Sequence, residues 1–588
     1  GGWPLTIMMT PDQKPFFADT YIPRETRYGR VGLTEMIPEV QTLWRTRREE
    51  VLSAASDITR ALLHDRPAKP RDVGEETLHR AYRSLAMSFD KTFGGFGRQP
   101  KFPSPHNFLF LLRYWKRTGE TQALHMVEQT IRMMRQGGIY DQIGFGFHRY
   151  ATDAGWVLPH FEKMLYDQAL MAMAVVELYQ ATADPAYKTL AHEIFTYVLR
   201  DMTDAGGGFY SAEDADSEGK EGKFYLWSEE EIRRVLGKED AELFLMHYRH
   251  ESDLALPGMH ELPEGYFIPH LGPGAGGKDA FLSLEGRQDE IRRKLFDIRK
   301  QRVHPHKDDK ILTDWNGLMI AALALGARVL DEPSYLEAAL KAMSFIQEKM
   351  TAAGGRLLHR FRDGQASIDA HADDYAFIIW ALLELYETAF DVGHLTKALE
   401  YQSHLSAFFR DERDGGLFFT PTDAEKLLTR PKELYDGAMP SGNSVAFHNS
   451  LRLARITADG DMDETAHEIY RAFGEQADAL PTAFTHFLCG LDFAIGPASE
   501  VVIVGEGAQP ETRAMLTALR GLYAPNKVVL LLNNENRAEF ATLAPWVHEH
   551  KESGGKPTAY VCSNFTCALP TNDPEKMLEL LLKDGERS

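Results

Sequence analysis

The sequence predicts a mainly α-helical protein, an (α/α)6 toroid with a partial α/β segment at its N-terminal end and a small α/β unit at its C-terminal end. Three observations predict it. From about Glu75 to Phe493 apolar residues recur with the period of a helix. Di-glycine turns at Gly94-Gly95, Gly137-Gly138, Gly206–Gly208, Gly354-Gly355 and Gly415-Gly416 mark an internal repeat. The helices themselves alternate between two kinds, which is the signature of two concentric layers.

In chain order, Thr6–Met9 reads as a strand, Pro11–Lys14 as a turn and Pro15–Ala18 as a second strand, followed by a helical stretch over Leu33–His64. A hairpin alone is only marginally stable, so its partner sheet is expected upstream and the sequence reads as beginning inside a fold. The Pro-containing charged run His64–Asp72 (HDRPAKPRD) reads as a joint. Boundaries are thus expected at 1–65, 73–495 and 496–588, with an insertion near 218–286 rich in Gly, Pro and charge. The glycine turns lie 43, 69, 148 and 61 residues apart, and a period in the sixties fits two helices, a tight turn and a β-like excursion. Residues 164–179, 316–330 and 375–390 are apolar almost all round, whereas 187–202, 334–350 and 395–412 keep a polar face. About a dozen such helices suggest a closed ring of six hairpins, with an open solenoid as the competitor. Beyond Glu500 the short apolar runs 501–505, 528–533 and 559–563 alternate with helical patterns at Pro510–Leu522 and Pro574–Lys583, giving the C-terminal α/β unit.

Composition narrows the function classes. The 588 residues are 44% hydrophobic and 26% charged, which excludes wholesale disorder, and the net charge of −21 argues against a nucleic-acid partner. Three cysteines cannot staple a disulfide scaffold. The longest apolar stretches, such as Gly317–Ala327, fall short of the ~18–20 residues a spanning helix needs, so no membrane partner is expected and the cytoplasm is the expected compartment.

Four polar clusters stand at the N-terminal ends of the apolar helices: His160, Glu162 and Lys163; Asp314, Trp315 and Asn316; His371, Asp373, Asp374 and Tyr375; and Ser441 with Asn443. Thr313, Ser441 and Asp373 suit helix capping, but capping alone does not call for His, Glu, Lys and Trp at the mouth of an otherwise apolar tunnel. Flat aromatics such as Trp156, Tyr166, Trp315 and Tyr375 can cover sugar C–H faces, while Asn and Asp grip hydroxyls. Two of Glu162, Asp314, Asp373 and Asp374 could cleave a glycosidic bond; His148, His160 and His371 could move protons beside a carbonyl. The expected substrate is a small molecule of the sugar class, contacted by His148, Trp156, Lys163, Tyr166, Trp315, Asn316, Tyr375, Ser441 and Asn443, with no cofactor and no metal. A plainer reading has these groups pair with one another and plug the ring. Elsewhere, Ser211–Ser217 (SAEDADS) reads as a solvated acidic loop rather than a calcium site, and His304-Pro305-His306 as a Pro-fixed loop rather than a zinc site. Cys562 and Cys567 leave one bridge or two free thiols equally open.

The segments GGWPLTIMMTPDQKPFFADTYIP, FGGFGRQPKFPSP, YDQIGFGFHRYATDAGWVLPHFEKMLYDQAL, LTDWNGLM, DGAMPSGNS and VCSNFTC resemble the thioredoxin-domain proteins that include spermatogenesis-associated protein 20 and its bacterial relatives. The resemblance covers essentially the whole chain. It implies an N-terminal thioredoxin-like domain and a toroid similar to N-acylglucosamine 2-epimerases and six-hairpin glycosidases. It also implies that Trp3-Pro4 stands where such folds put a cis-proline, while the family's Cys-x-x-Cys segment is not in this sequence. By fold analogy it implies carbohydrate metabolism, with His160 and His371, or His148 in place of one of them, as the nearest equivalents of the epimerase histidine pair. Sugar epimerisation or isomerisation and glycoside hydrolysis are the leading expectations. A redox or protein-quality factor whose toroid is a non-catalytic binding module is the alternative, and a structural scaffold is the third.

Overall fold

The computed structural model describes residues 5–27, 29–63, 71–249, 262–271 and 287–584. Contacts divide the chain into two compact units, residues 1–69 with 422–432, and residues 70–421 with 433–588. In the first, strands Thr6–Met9 and Pro15–Asp19 pair antiparallel, and α2 (Arg48–Leu63) packs on the second strand after α1 (Leu33–Thr46). One helix was expected over 33–64. The backbone instead leaves helical geometry at Arg47, which caps α1 through its N–H to Leu43 O at 2.8 Å while its side chain turns to Glu50 in the first turn of α2. Most of the expected joint, residues 64–70, and the Trp3-Pro4 position lie outside the described residues.

The second unit is the ring. Its inner helices are α4 (Pro105–Thr118), α6 (Leu165–Thr182), α10 (Thr313–Leu330), α12 (Ala372–Ala389), α14 (Gly442–Thr457) and α16 (Thr485–Ile495). Each follows or precedes an outer helix: α3 (Glu75–Ser88), α5 (Thr121–Gln136), α7 (Pro185–Asp201), α11 (Pro333–Lys349), α13 (Val392–Phe409) and α15 (Gly460–Ala479). Inner helices touch in the order α4–α6–α10–α12–α14–α16, and α16 packs back on α4. That last contact makes the array a closed (α/α)6 toroid rather than an open solenoid. The cause is compositional: α6, α10 and α12 bury residues on every side, and only a position between neighbours and an outer layer removes all of that surface from water.

Two connections repeat around the ring. Inner helices end on a left-handed residue followed by an acidic one that starts the next outer helix: Gly119-Glu120, Ala183-Asp184, Asp331-Glu332, Phe390-Asp391 and Ala458-Asp459. Outer helices end in tight turns closed by single bridges, Phe89 with Phe96, Tyr140 with Phe147, Thr203 with Phe209, Thr351 with Leu357 and Arg410 with Leu417. The glycines expected in these turns take positive φ at 94–95, 207, 354–355 and 415–416. Gly137-Gly138 does not belong to that set. The second turn is made by Phe145 and Gly146 at φ 69° and 80°, whereas a Cβ on Gly137 or Gly138 would lie 2.3 or 2.1 Å from the carbonyl oxygens of Trp156 and Val157. Those two glycines permit a close backbone approach.

An amide at the start of the inner helix then latches the extended residue after the turn. Gln168 accepts from Phe147 N (2.9 Å) and donates to Phe147 O (2.8 Å). Asn316 does the same to Phe209 (2.8 and 3.0 Å), and Asn443 to Leu417 (2.8 and 2.9 Å). In α12 the Tyr375 hydroxyl takes this place, accepting from Leu357 N at 3.1 Å.

The insertion lies between α7 and α10. Its neck is a three-stranded sheet in which Ala212–Glu213 pairs with both Lys163–Met164 and Lys307–Asp308. Helices α8 (Glu229–Tyr248) and α9 (Arg287–Arg299) pack together around Trp227, Ile232, Leu236 and Leu295. Residues 250–261 and 272–286 of the expected insertion are outside the described residues. The C-terminal sheet runs in the order 527–532, 499–504, 558–563, 566–567, its first pair parallel and the others antiparallel. It is flanked by α17 (Pro510–Gly521), α18 (Arg537–Leu543) and α19 (Pro574–Asp584). It meets the C-terminal ends of the inner helices, for instance where Arg520 donates to Thr388 O and Trp546 Nε1 to Ile456 O. Among the described residues no helix is long and apolar enough to cross a membrane.

Candidate active site

The N-terminal turns of α10, α12 and α14 are joined by carboxylates. Asp374 Oδ1 accepts the N–H of Asp314 at 2.9 Å and Oδ2 that of His371 at 2.7 Å, while His359 Nδ1 stands 3.0 Å from both oxygens. Asp373 Oδ1 accepts the N–H of Gly442 at 2.9 Å. Helix N-termini expose unpaired N–H groups and the positive end of the helix dipole, so acidic side chains collect there. Asp373 was expected to cap its own helix and instead caps the next one. Thr313, also expected as a cap, donates its hydroxyl to Leu358 O at 2.6 Å, while Ser441 does cap α14, accepting from Ser444 N at 3.1 Å. His371 stacks on Phe419 at 4.4 Å and meets His359 edge-on at 4.9 Å.

Three aspartates so close cannot all ionise in the ordinary range. Burial, reinforced by the charge of Asp374, raises Asp314 to about 7. Asp373 retains a partly exposed edge, yet burial with the fields of Asp314 and Asp374 raises it to about 8. Burial opposes ionisation of Asp374 too, but hydrogen bonds from His359 and His371 hold it near 2. His359 is the counterpart: burial favours its neutral ring, and the bond to Asp374 overrides this and lifts it to about 9.

A second polar group gathers before α6. His160 Nε2 lies 3.3 Å from Glu162 Oε2 and its Nδ1 lies 2.7 Å from Glu221. Glu162 also accepts from Arg149 at 2.9 Å. The bond to Glu162 raises His160 against the effect of burial, and the bond from His160 lowers Glu162. His160 stacks on Tyr150 at 5.0 Å, and the exposed Phe102 lies tilted against Tyr150 at 4.8 Å. Tyr166 meets Trp315 edge-on at 4.8 Å. Asp167, two residues after Leu165, is buried, its Oδ2 has no hydrogen-bond partner among the described residues, and burial raises its pKa strongly.

The structure therefore brings together Asp314, Asp373, Asp374 and His371, pairs His160 with Glu162, and sets Tyr166 against Trp315. The other expected substrate contacts are occupied by the fold. Lys163 donates to Asp141 and to Phe145 O, both at 2.8 Å, within a buried cluster where Arg299 of the insertion grips Asp141 with two bonds. His148 bonds Phe161 O at 3.0 Å, and burial pushes it down to about 3. Trp156 Nε1 donates to Phe93 O at 2.9 Å. Asn316, Tyr375 and Asn443 are latches and Ser441 is a cap, as described. Each is buried, and a buried polar group must find a partner wherever the fold offers one.

Sequence reasoning missed His359, Arg149, Glu221 and Asp167. Only Arg149 carried a signal, as the neighbour of His148 in HRY; His359 sits in a short strand, Leu358–Arg362, with no motif. It also described the bore as apolar, which the structure corrects. Arg113, Glu177, Arg328, Glu384 and Arg452 line a cavity of about 100 Å³ along the bore, together with Tyr523 and Lys527 of the C-terminal unit. Arg452 bridges Glu384 (2.7 Å) and Glu387 (3.0 Å), and Arg113 holds Glu177 with two bonds. Histidines 106 and 486 stand near them, burial pushing them to about 4 and about 3. Their signal was an isolated charge in an otherwise apolar helix, which must be paired when the helix is buried. The ligand atoms of His359, His371 and Asp374 lie within 4.8 Å of one another, a spacing that could hold a metal ion, and each Asp374 oxygen also accepts one backbone N–H.

The family model Thioredox_DsbH, described as "Protein of unknown function, DUF255", matches residues 1–63. Spermatogenesis-associated protein 20 of Homo sapiens is 32% identical over 631 residues, covering 99% of this chain and 79% of that protein. The protein of the same name from Mus musculus is 31% identical over 626 residues, covering 99% and 79%. Among solved structures, a D-mannose isomerase aligns at 12% identity with a TM-score of 0.44, covering 68% of this chain and 86% of that one. The ordered motifs and the near-complete alignment agree: the chain belongs to the family of spermatogenesis-associated protein 20.

Proposed function

We propose that the mouth formed by the inner-helix N-termini is an acid–base site for a carbohydrate, and that cleavage of a glycosidic bond is the reaction its carboxylates suit best. One observation carries this reading: neighbouring aspartates have pKa values driven apart, with Asp374 near 2, Asp314 near 7 and Asp373 near 8. Pairs of titratable groups pushed apart in this way divide into an acid and a base. Asp373 keeps its proton at neutral pH and has an open edge from which to give it to a leaving oxygen. Asp314, ionised above about 7, can take a proton from the attacking water. Asp374 is a positioning residue that orients His359 and His371, and the half-buried Trp315 offers an apolar face to a sugar ring.

Hydrolysis is favoured over isomerisation because His160 stands between Glu162 and Glu221, which stabilise its charged form and make it a poor base. The redox reading draws no support from residues 1–63, since all three cysteines lie at 489, 562 and 567. The test is a screen of aryl glycosides and oligosaccharides for released reducing ends, with D373N and D314N as controls. Turnover lost at least 100-fold in either variant, with folding retained, supports the reading. Neither turnover nor binding across the screen would end it.

A further inference from the structure

A different pair of side chains, in the C-terminal unit, is arranged for chemistry that the mouth of the ring does not use. Cys562 and Cys567 are directly opposite each other on the antiparallel strands 558–563 and 566–567, and they are bridged. The two sulfurs differ in surroundings: Cys562 is fully buried, whereas Cys567 is exposed on the edge strand of the sheet. His550 faces the exposed one, its Nε2 lying 3.6 Å from Cys567 Sγ.

The other ring nitrogen decides what that contact means. His550 Nδ1 lies 3.2 Å from Val547 O, and a carbonyl can only accept, so the proton is on Nδ1 and Nε2 presents a lone pair. Tyr560 packs edge-on against the imidazole at 4.4 Å and Trp546 at 5.7 Å, which fixes its orientation. A disulfide sulfur has no proton to offer that lone pair. A thiol at Cys567 does, and the S–H···Nε2 bond is complete only in the reduced state. Burial lowers the His550 pKa, with a smaller contribution from Arg537, which keeps Nε2 free of a proton near neutrality.

We propose that Cys562–Cys567 is a reversible thiol–disulfide exchange site in which exposed Cys567 is the sulfur that meets an incoming dithiol and His550 is the residue that holds its proton. A thiolate of the dithiol attacks Cys567 Sγ, the Cys562–Cys567 bond breaks, and Cys562 leaves as a thiolate that takes up a proton. The second thiol of the dithiol then attacks its own mixed-disulfide sulfur and expels Cys567, whose thiolate is protonated and bonds to His550 Nε2. Two electrons and two protons pass from the dithiol to the pair, and the dithiol becomes a disulfide; in reverse, His550 takes the proton from Cys567 and frees its thiolate to attack. The turn between the cysteines is tied to the ring, with Phe565 N donating to Glu500 and Arg455 of α14 reaching both Glu500 and Asn564.

The full chain, equilibrated in mixtures of reduced and oxidised dithiothreitol and trapped with N-ethylmaleimide, tests this by peptide mass spectrometry. The expected result is a reversible two-thiol transition at 562 and 567 while buried Cys489, the free cysteine, stays unlabelled and so reports an intact fold. In C562S, H550Q should slow alkylation of Cys567 at pH 7 about tenfold, because no Nε2 is then in place to take the thiol proton as the thiolate forms. H550Q alone, which can still form the bridge, serves if C562S does not fold. The proposal is overturned if the bridge opens only together with labelling of Cys489, if H550Q leaves the alkylation rate of Cys567 unchanged, or if the reduced pair takes up zinc and becomes resistant to alkylation.

Discussion

Asp374 and Asp314 stand on adjacent inner helices, and the side chain of the first accepts the backbone N–H of the second at 2.9 Å. The carboxylate that anchors the acid–base cluster is therefore also a splice between two staves of the ring. Removing it as D374A leaves the N–H groups of Asp314 and His371 and the ring of His359 without their acceptor. A loss of about 3 kcal/mol is expected, read from the midpoint of urea unfolding. D374N, which keeps one acceptor oxygen, should recover part of it. An unchanged midpoint in D374A would refute the splice.

The rate of the proposed reaction should depend on pH as a narrow bell. The ascending limb follows ionisation near 7 and the descending limb loss of the acid near 8, and because Asp314, Asp373 and Asp374 interact, both midpoints belong to the cluster. D373N should abolish the descending limb in whatever activity remains. A flat profile from pH 6 to 9 contradicts the assignment.

Stability should fall as pH rises. Asp314 and Asp373 have folded pKa values above the unfolded carboxyl range, so the folded state binds more protons than the unfolded one from about pH 4 up to about 8, and stability declines across that window. The contribution of His359 is fully present below about 6.5 and is lost as pH passes about 9. Asp374 acts oppositely: its contribution is present above about 3.9 and disappears as pH falls through about 2. Melting temperatures of the wild type should thus drop between pH 5 and 9, and D314N/D373N should flatten that slope. A wild-type melting temperature that rises across this range would contradict the buried cluster.

The latches predict local cost with little chemistry. N316A or N443A removes both bonds to Phe209 or Leu417 and leaves a buried N–H and C=O unpaired, so each should cost about 2–3 kcal/mol. Hydrogen exchange should rise first at Phe209 or Leu417, which distinguishes a lost latch from general loosening.

In the bore, R452M removes the guanidinium that bridges Glu384 and Glu387 and leaves Arg328 bridging the two. Breaking such a buried network from one side is expected to cost about 3–5 kcal/mol. The triple change R452M/E384L/E387L should be less harmful than R452M alone. A more harmful triple variant would locate the cost in packing and not in charge.

The ring was legible where burial acts on whole segments. Helices apolar on every side, such as α6 and α12, announce an inner layer without further information, and the glycines of four turns announce themselves by the left-handed backbone they permit. Gly137-Gly138 misled because a glycine pair can equally mark a close approach, and spacing does not separate the two uses. Asp314, Asp373 and Asp374 were legible as a cluster because helix ends of one layer must gather on one face. Lys163 was not: its partner Asp141 is shared with Arg299, which arrives from the far end of the insertion, a contact between residues more than a hundred positions apart. The repeated left-handed stop and acidic start, Ala183-Asp184 and Ala458-Asp459 among them, were present in the sequence but share no single residue type at the stop, so only backbone geometry unites them.

The three-stranded neck made by Lys163–Met164, Ala212–Glu213 and Lys307–Asp308 has a consequence for how this protein can change. The chain leaves and re-enters the ring through paired backbone, so the circle does not register how much polypeptide hangs beyond the seam. That makes the stretch between Glu213 and Lys307 a port where segments can be lengthened, trimmed or exchanged over evolutionary time, provided that contacts such as Arg299 with Asp141 and Glu221 with His160 are kept or replaced.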